Sequence, residues 1–179
     1  MLDIENCCLA VVDVQGKLAQ LMHGKEALFK NIRVLIQAAR ILGMPILWCQ
    51  QVPKALGPTI PEIAELLADI KPINKATFSC CEADQFSTGL NASQRNQILL
   101  CGIETHICIY QTTMDLLRRG FEVNVVADAV SSRTLENRQI ALKRMDAANA
   151  NIFSTEMALF ELLRTAEHPK FREIARLIK

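Results

Sequence analysis

Residues 97–120 read QILLCGIETHICIYQTTMDLLRRG, and they decide what kind of fold the chain can adopt. Residues 98–101 (ILLC) carry no polar side chain, the pattern of a strand buried on both faces of a parallel sheet. Residues 102–105 make a tight connection. Thr105 can cap a helix that runs to Arg119, and Gly120 stops it. In that frame Cys108 lies in the first helical turn, where backbone N–H groups are unpaired and the helix dipole places partial positive charge beside the sulfur. Such a setting favours the thiolate, which is the nucleophilic form. At helical spacing Ile107, Tyr110, Met114 and Leu117 form the apolar stripe, and Cys108 falls with Gln111, Thr112, Asp115 and Arg119 on the other side. A thiol off the stripe, just past a strand's carboxyl end, stands where open parallel sheets bind ligands. A first-turn cysteine is also often a small buried hydrophobe, and this segment alone leaves both readings open.

Outward from that segment, strand and helix patterns alternate. Residues 7–14 (CCLAVVDV), 45–49 (PILWC), 98–101, 121–127 (FEVNVVA) and 151–153 read as strands, with 72–78 (PINKATF) a weak one. Residues 25–42, 136–148, 155–163 and 171–178 read as helices, and 63–67 as a short one. Residues 50–63, with three prolines and a glycine, and residues 128–133 read as loops. Residues 79–91 read as loop with a helical turn. The alternation predicts a single α/β domain over residues 1–179, a doubly wound parallel sheet with helices on both faces. Right-handed crossovers then place every strand's carboxyl end on one edge.

Composition narrows the function. The chain has 179 residues and a net charge of +1, so no electrostatic argument favours nucleic acid or an anionic membrane. No apolar run is long enough to span a bilayer. Seven cysteines, an odd number with several in strands, suit reduced thiols in a cytoplasmic setting better than a disulfide framework. No C-x-x-C pair is present, so neither a zinc knuckle nor a thioredoxin-type site is signalled.

Three chemistry-bearing residues converge by topology. Asp13, Lys75 and Cys108 each lie at or just after a strand's carboxyl end. Together they supply a base, a charge partner and a nucleophile. Asp13 and Lys75 could equally be a buried structural ion pair.

The segments LAVVDVQ, KATFS and GIETHICIYQTTMDLLRRG resemble the three signature segments of the isochorismatase-like cysteine hydrolases. SSR at 131–133 and STEMALFELL look like the branch called isochorismatase domain-containing proteins. The resemblance covers nearly the whole chain. It implies a three-layer fold with a six-stranded, mostly parallel sheet and a triad of Cys108, Asp13 and Lys75. It also implies a cis peptide between Ile103 and Glu104, with the backbone N–H groups of Glu104 and Cys108 facing an oxyanion. The implied reaction is hydrolysis of a small amide or related C–N bond through a thioester on Cys108. Nicotinamidases of the family bind a metal through an Asp-x-His pair and a further histidine. Here only His23, His106 and His168 occur and no such pair, so neither metal nor cofactor is expected.

For a small-molecule substrate, position suggests contacts from Gln15, Gln50, Phe78 and Thr105, with Trp48 and Tyr110 as likely to be core as pocket. Gln50 stands out because a polar residue directly after an apolar strand needs a partner. Cys80 and Cys81 read as loop residues near the site. Two other functions stay in view: a catalytically silent oligomeric scaffold or binding protein, and a thiol redox protein pairing Cys108 with Cys80 or Cys81. Family members are often dimers, tetramers or larger rings. The C-terminal helix and residues 52–61 are apolar enough to support a subunit contact.

Overall fold

The structure, a computed structural model, describes residues 1–178. Six strands form one sheet: β1 (Cys7–Val12), β2 (Ile46–Gln51), β3 (Ile73–Lys75), β4 (Gln97–Ile103), β5 (Glu122–Ser131) and β6 (Asn151–Phe153). Their order is β3-β2-β1-β4-β5-β6, and every adjacent pair is parallel. The α-helices in chain order are α1 (Gly16–Gln20), α2 (Lys25–Ile41), α3 (Pro53–Leu56), α4 (Pro61–Ala64), α5 (Asp84–Ser93), α6 (Tyr110–Arg118), α7 (Leu135–Asp146), α8 (Thr155–Leu163) and α9 (Phe171–Leu177).

Strand alternation divides the interior in two. On β1, Cys7, Leu9 and Val11 join one core with α2, α8 and α9, while Cys8, Ala10 and Val12 join the other with α5, α6 and α7. Successive side chains on a strand point to opposite faces, so a strand covered on both sides must be apolar throughout, as CCLAVV is. Fully buried residues such as Leu9, Ile32, Leu99 and Ile109 each contribute about 1.5–3 kcal/mol relative to exposure.

The chain runs outward from β1 to β2 and β3, then returns to place β4 on the other side of β1. This reversal opens a crevice at the carboxyl ends of β1 and β4, the usual ligand position in open α/β sheets. Close packing there depends on Gly102, at φ +122°, where an added Cβ would lie 2.0 Å from the Val12 carbonyl oxygen. The β4–β5 register shifts between Leu100 and Gly102, next to the crevice.

Several elements differ from the sequence reading. Residues 105–119 are not one α-helix capped by Thr105. Thr105–Ile109 forms a π-helical turn, and α6 begins at Tyr110. Thr105 makes no capping bond; its hydroxyl is buried without a partner. The buried face of this stretch is Cys108, Ile109, Thr112, Thr113 and Leu116. Cys108 therefore lies on the buried face and not opposite it. Strand β5 extends into the stretch read as a polar loop, and α5 occupies much of the stretch read as loop at 79–91. The stripe on α9 is used within the chain: Ile174 is fully buried against the core that contains α2.

Candidate active site

Asp13 is the first residue past β1, at φ +55°. Aspartate tolerates this left-handed conformation better than most residues. The turn brings its backbone N–H to the Cys49 carbonyl at 3.1 Å and leaves its carboxyl at the crevice. Lys75 ends β3, two strands away. Its Nζ donates to Asp13 Oδ2 at 2.6 Å and to Gln51 Oε1 at 2.6 Å, with the carbonyls of Thr77 and Phe78 at 3.2 Å. Four oxygens surround an ammonium that has three protons to give. Both side chains of the ion pair are almost completely buried.

One carboxylate oxygen is thus fixed and the other is not. Asp13 Oδ1 is buried and has no hydrogen-bond partner among the described residues. The Cys108 thiol lines the same cavity as Asp13, and its side-chain interaction with the carboxyl lowers the latter's proton affinity. Burial outweighs this and the Lys75 ammonium together, and Asp13 is raised above the usual carboxylate range. For Lys75, burial works against the charged form, but Cys80, Asp13 and Cys108 outweigh it and its pKa is raised. Cys108 departs from the sequence expectation. Burial first, then the Asp13 charge, push its thiol far above the ordinary range, and Lys75 offsets only part of this. Burial thus works against the thiolate that the helix-end reading favoured.

A cavity of about 170 Å³ opens at this point. Leu18, Leu56, Phe78, Ile103 and Ile107 give it apolar walls, and Asp13, Gln51, Glu104 and Cys108 supply its polar groups. The Ile103–Glu104 peptide is cis. The Glu104 carbonyl accepts from the N–H groups of Ile107 and Ile109, which holds the turn that carries Cys108. Glu104 Oε2 accepts from Arg133 through its backbone N at 3.0 Å and Nε at 3.1 Å.

The structure brings Asp13, Lys75, Cys108, Ile103, Glu104 and Phe78 together. It places Gln15, Gln50 and Thr105 outside the cavity lining. Gln15 clamps the chain after β2: Oε1 accepts from Gln51 N at 2.6 Å, and Nε2 donates to the carbonyls of Gln51 and Gly57. Gln50 Nε2 donates to Thr59 Oγ1, as does Trp48 Nε1, so both are internal ties. Cys80 and Cys81 are buried and do not line the cavity; Cys80 packs in the same core as Cys49 and Cys108. All seven cysteines are free and buried.

Sequence reasoning missed Gln51, and strand alternation holds the signal that finds it. Gln51 shares its face of β2 with Leu47 and Cys49, on the Cys108 side, whereas Gln50 shares the Trp48 side. The Leu18 and Leu56 walls come from α1 and α3, short helices within stretches read as loop or left unassigned. Among the described residues no cluster of three or more His, Cys, Asp or Glu could hold a metal ion, and no helix is long and apolar enough to cross a membrane.

Comparison with known proteins is consistent across sequence and structure. The isochorismatase domain description matches residues 7–157. Isochorismatase domain-containing protein 2A of Mus musculus is 39% identical over 175 residues, covering 98% of this chain and 84% of that protein. The solved structure of the MAR1 ribonuclease of Caenorhabditis elegans is 40% identical. It superposes with a TM-score of 0.92 over 99% of this chain and 91% of its own. The YcaC gene product of Escherichia coli, described as an octameric hydrolase of unknown specificity, superposes with a TM-score of 0.93 over 99% of this chain and 88% of its own. At 23% identity that is a likeness of fold.

Proposed function

The chain belongs to the isochorismatase family, a hydrolase-like family, and from that premise we propose that it is a metal-independent cysteine hydrolase of small amides or related C–N compounds. The observation that carries this is the divided carboxylate: Lys75 fixes Oδ2 of Asp13, Oδ1 is left without a partner, and the Cys108 thiol interacts with the same side chain in the same cavity. A base in that position takes a proton as the nucleophile attacks. The raised thiol pKa suits a transfer concerted with attack, so the sulfur becomes anionic only as its bond to carbon forms.

In the reaction, Cys108 Sγ adds to the carbonyl carbon while its proton passes to Asp13 Oδ1. The backbone N–H groups of Glu104 and Cys108 stabilise the oxyanion. Collapse expels the amine, which takes the proton from Asp13, and leaves a thioester. Water then attacks the thioester, with Asp13 again as base, and the acid departs as the thiol re-forms. Lys75 holds Asp13 in place and favours its ionised form against the effect of burial.

The nematode relative is described as a ribonuclease. A net charge of +1 and a cavity whose lysine is fully engaged give a phosphodiester backbone little counter-charge, so amide chemistry is the better supported reading. Assembly as a homo-oligomer accompanies the proposal. Exposed Ile140 and Met157 support it, as does the octamer described for the bacterial protein. Sedimentation giving a pure monomer removes that part.

The test is a screen of small amides for ammonia release, run with wild type and Cys108→Ala, with intact mass spectrometry of acid-quenched reactions. Turnover lost in the variant, with an acyl adduct on wild-type Cys108, is the expected result. Turnover that persists in the variant rejects the cysteine mechanism. No turnover or adduct with any amide leaves the scaffold reading in its place.

A further inference from the structure

We infer that the site selects an uncharged acyl group and rejects acids, including the carboxylate that its own reaction releases. The inference rests on the hydrolase reading above and adds the substrate's charge class. It comes from counting the charges around the cavity.

Two acidic residues line the cavity, Asp13 and Glu104. Lys75 has no proton left for a ligand, because Asp13, Gln51 and the carbonyls of Thr77 and Phe78 already surround it. Arg133 reaches Glu104 Oε2 only, is about half exposed, and does not line the cavity. Glu104 Oε1 takes no hydrogen bond from the protein. Lys17 borders the neighbouring outer hollow, not the cavity. An anionic ligand would therefore enter beside two carboxylates whose counter-ions, Lys75 and Arg133, are already engaged, with no free cation to receive it, and burying an unpaired charge is costly.

A second carboxylate there would also raise the proton affinity of Asp13 further and disable the base. The walls point the same way: five of the nine lining residues are apolar. The volume of about 170 Å³ is on the order of half a dozen water molecules, below the range of drug-sized pockets. The acyl group is thus short, apolar and neutral.

Hydrolysis changes the charge of what is bound. A neutral amide enters, and its acid loses a proton to water at neutral pH. The same lack of a free cation that leaves a neutral substrate undisturbed gives the anionic product nothing to hold it, so release needs no separate device.

Iodoacetamide and iodoacetate test this directly, since they share one shape and differ in charge. In both, the sulfur forms a bond to the methylene carbon, iodide leaves with the bonding pair, and the thiol proton passes to the base. Labelling rates at Cys108 are read by peptide mass on the folded protein and divided by the rates of a neutral free thiol, N-acetylcysteine amide. A preference for iodoacetamide at least tenfold beyond the free thiol is expected, narrowing several-fold in Glu104→Gln. A ratio equal to the free thiol's, with Cys108 well labelled, overturns the charge rule and leaves the nucleophile intact. Labelling by neither reagent, when both label the denatured chain, overturns the hydrolase reading and the charge rule with it. If Glu104→Gln unfolds, propionamide and propionate are tried as protectants of wild type: protection by propionamide alone supports the rule, and equal protection by both overturns it.

Discussion

Cys101 and Cys108 are seven residues apart, both buried, and both pushed far above the ordinary thiol range by burial. On the proposed mechanism they nevertheless belong to different chemistries. Cys101 lies mid-strand in β4, its sulfur 3.6 Å from the Ala10 carbonyl, and burial alone governs its thiol. Cys108 lies past the strand end, where Asp13 adds a charge and an open oxygen. Proton affinity does not separate the two thiols; a base within reach does. A buried cysteine becomes a nucleophile when something beside it can take the proton at the moment of attack.

The largest test of that contrast is Cys108→Ser. Amide turnover is expected to fall by about 10³–10⁶-fold, since residues that act as a unit fail together, while Cys101→Ser leaves the rate within about tenfold. Steady-state kinetics on a substrate from the amide screen measure both, and equal losses would erase the distinction. Next comes Asp13→Asn, expected to cost about 10²–10⁴-fold in rate. It also strands the buried Lys75 ammonium, a loss of about 3–5 kcal/mol of stability by urea denaturation. Replacing both partners, Asp13→Leu with Lys75→Met, should recover much of that stability and none of the activity. A double variant that stays as unstable as Asp13→Asn would mean the pair is not the cause.

The pH profile sharpens the contrast further. Asp13 works as a base only when ionised, and burial raises its pKa. The rate should therefore fall as pH drops through a value above the ~3.9 of a free aspartate. A kcat/KM profile that stays flat below pH 4 would exclude Asp13 as the base. The smallest effect is Cys101→Ala, which removes one buried sulfur with no charged neighbour. About 1 kcal/mol, or roughly 2–4 °C in Tm, is expected at unchanged turnover.

The sequence made the architecture and the three polar residues legible for the same reason. Parallel strands buried on both faces are apolar, so a charge at a strand's end stands out, as Asp13 does after CCLAVV. What stayed hidden depended on one-residue offsets. The stripe on Ile107, Tyr110, Met114 and Leu117 is offset from the face that is buried, because Thr112 and Thr113 face the core with Cys108 and do not read as apolar, and period-3.6 counting has no means of placing the π-helical turn at Thr105–Ile109. The choice between Gln50 and Gln51 turned on which face of β2 meets Cys108, a matter of register. The thiol's raised proton affinity was also hidden, because the helix-end argument omits how deeply neighbouring chains bury the sulfur. The walls from Leu18 and Leu56 come from helices of five and four residues, too short to show a period.

The strand order carries a consequence for how the chain is made. β1 is made before the other strands of the sheet but lies in its middle, and its second neighbour, β4, begins only at Gln97. At 5–20 residues per second, roughly 5–20 s pass in which one edge of CCLAVV has nothing to pair with. An unpaired apolar strand edge is a template for other chains. The nascent protein is therefore most exposed to aggregation early in its synthesis, and a chaperone that shields its first strand would raise yield more than one acting on the finished domain.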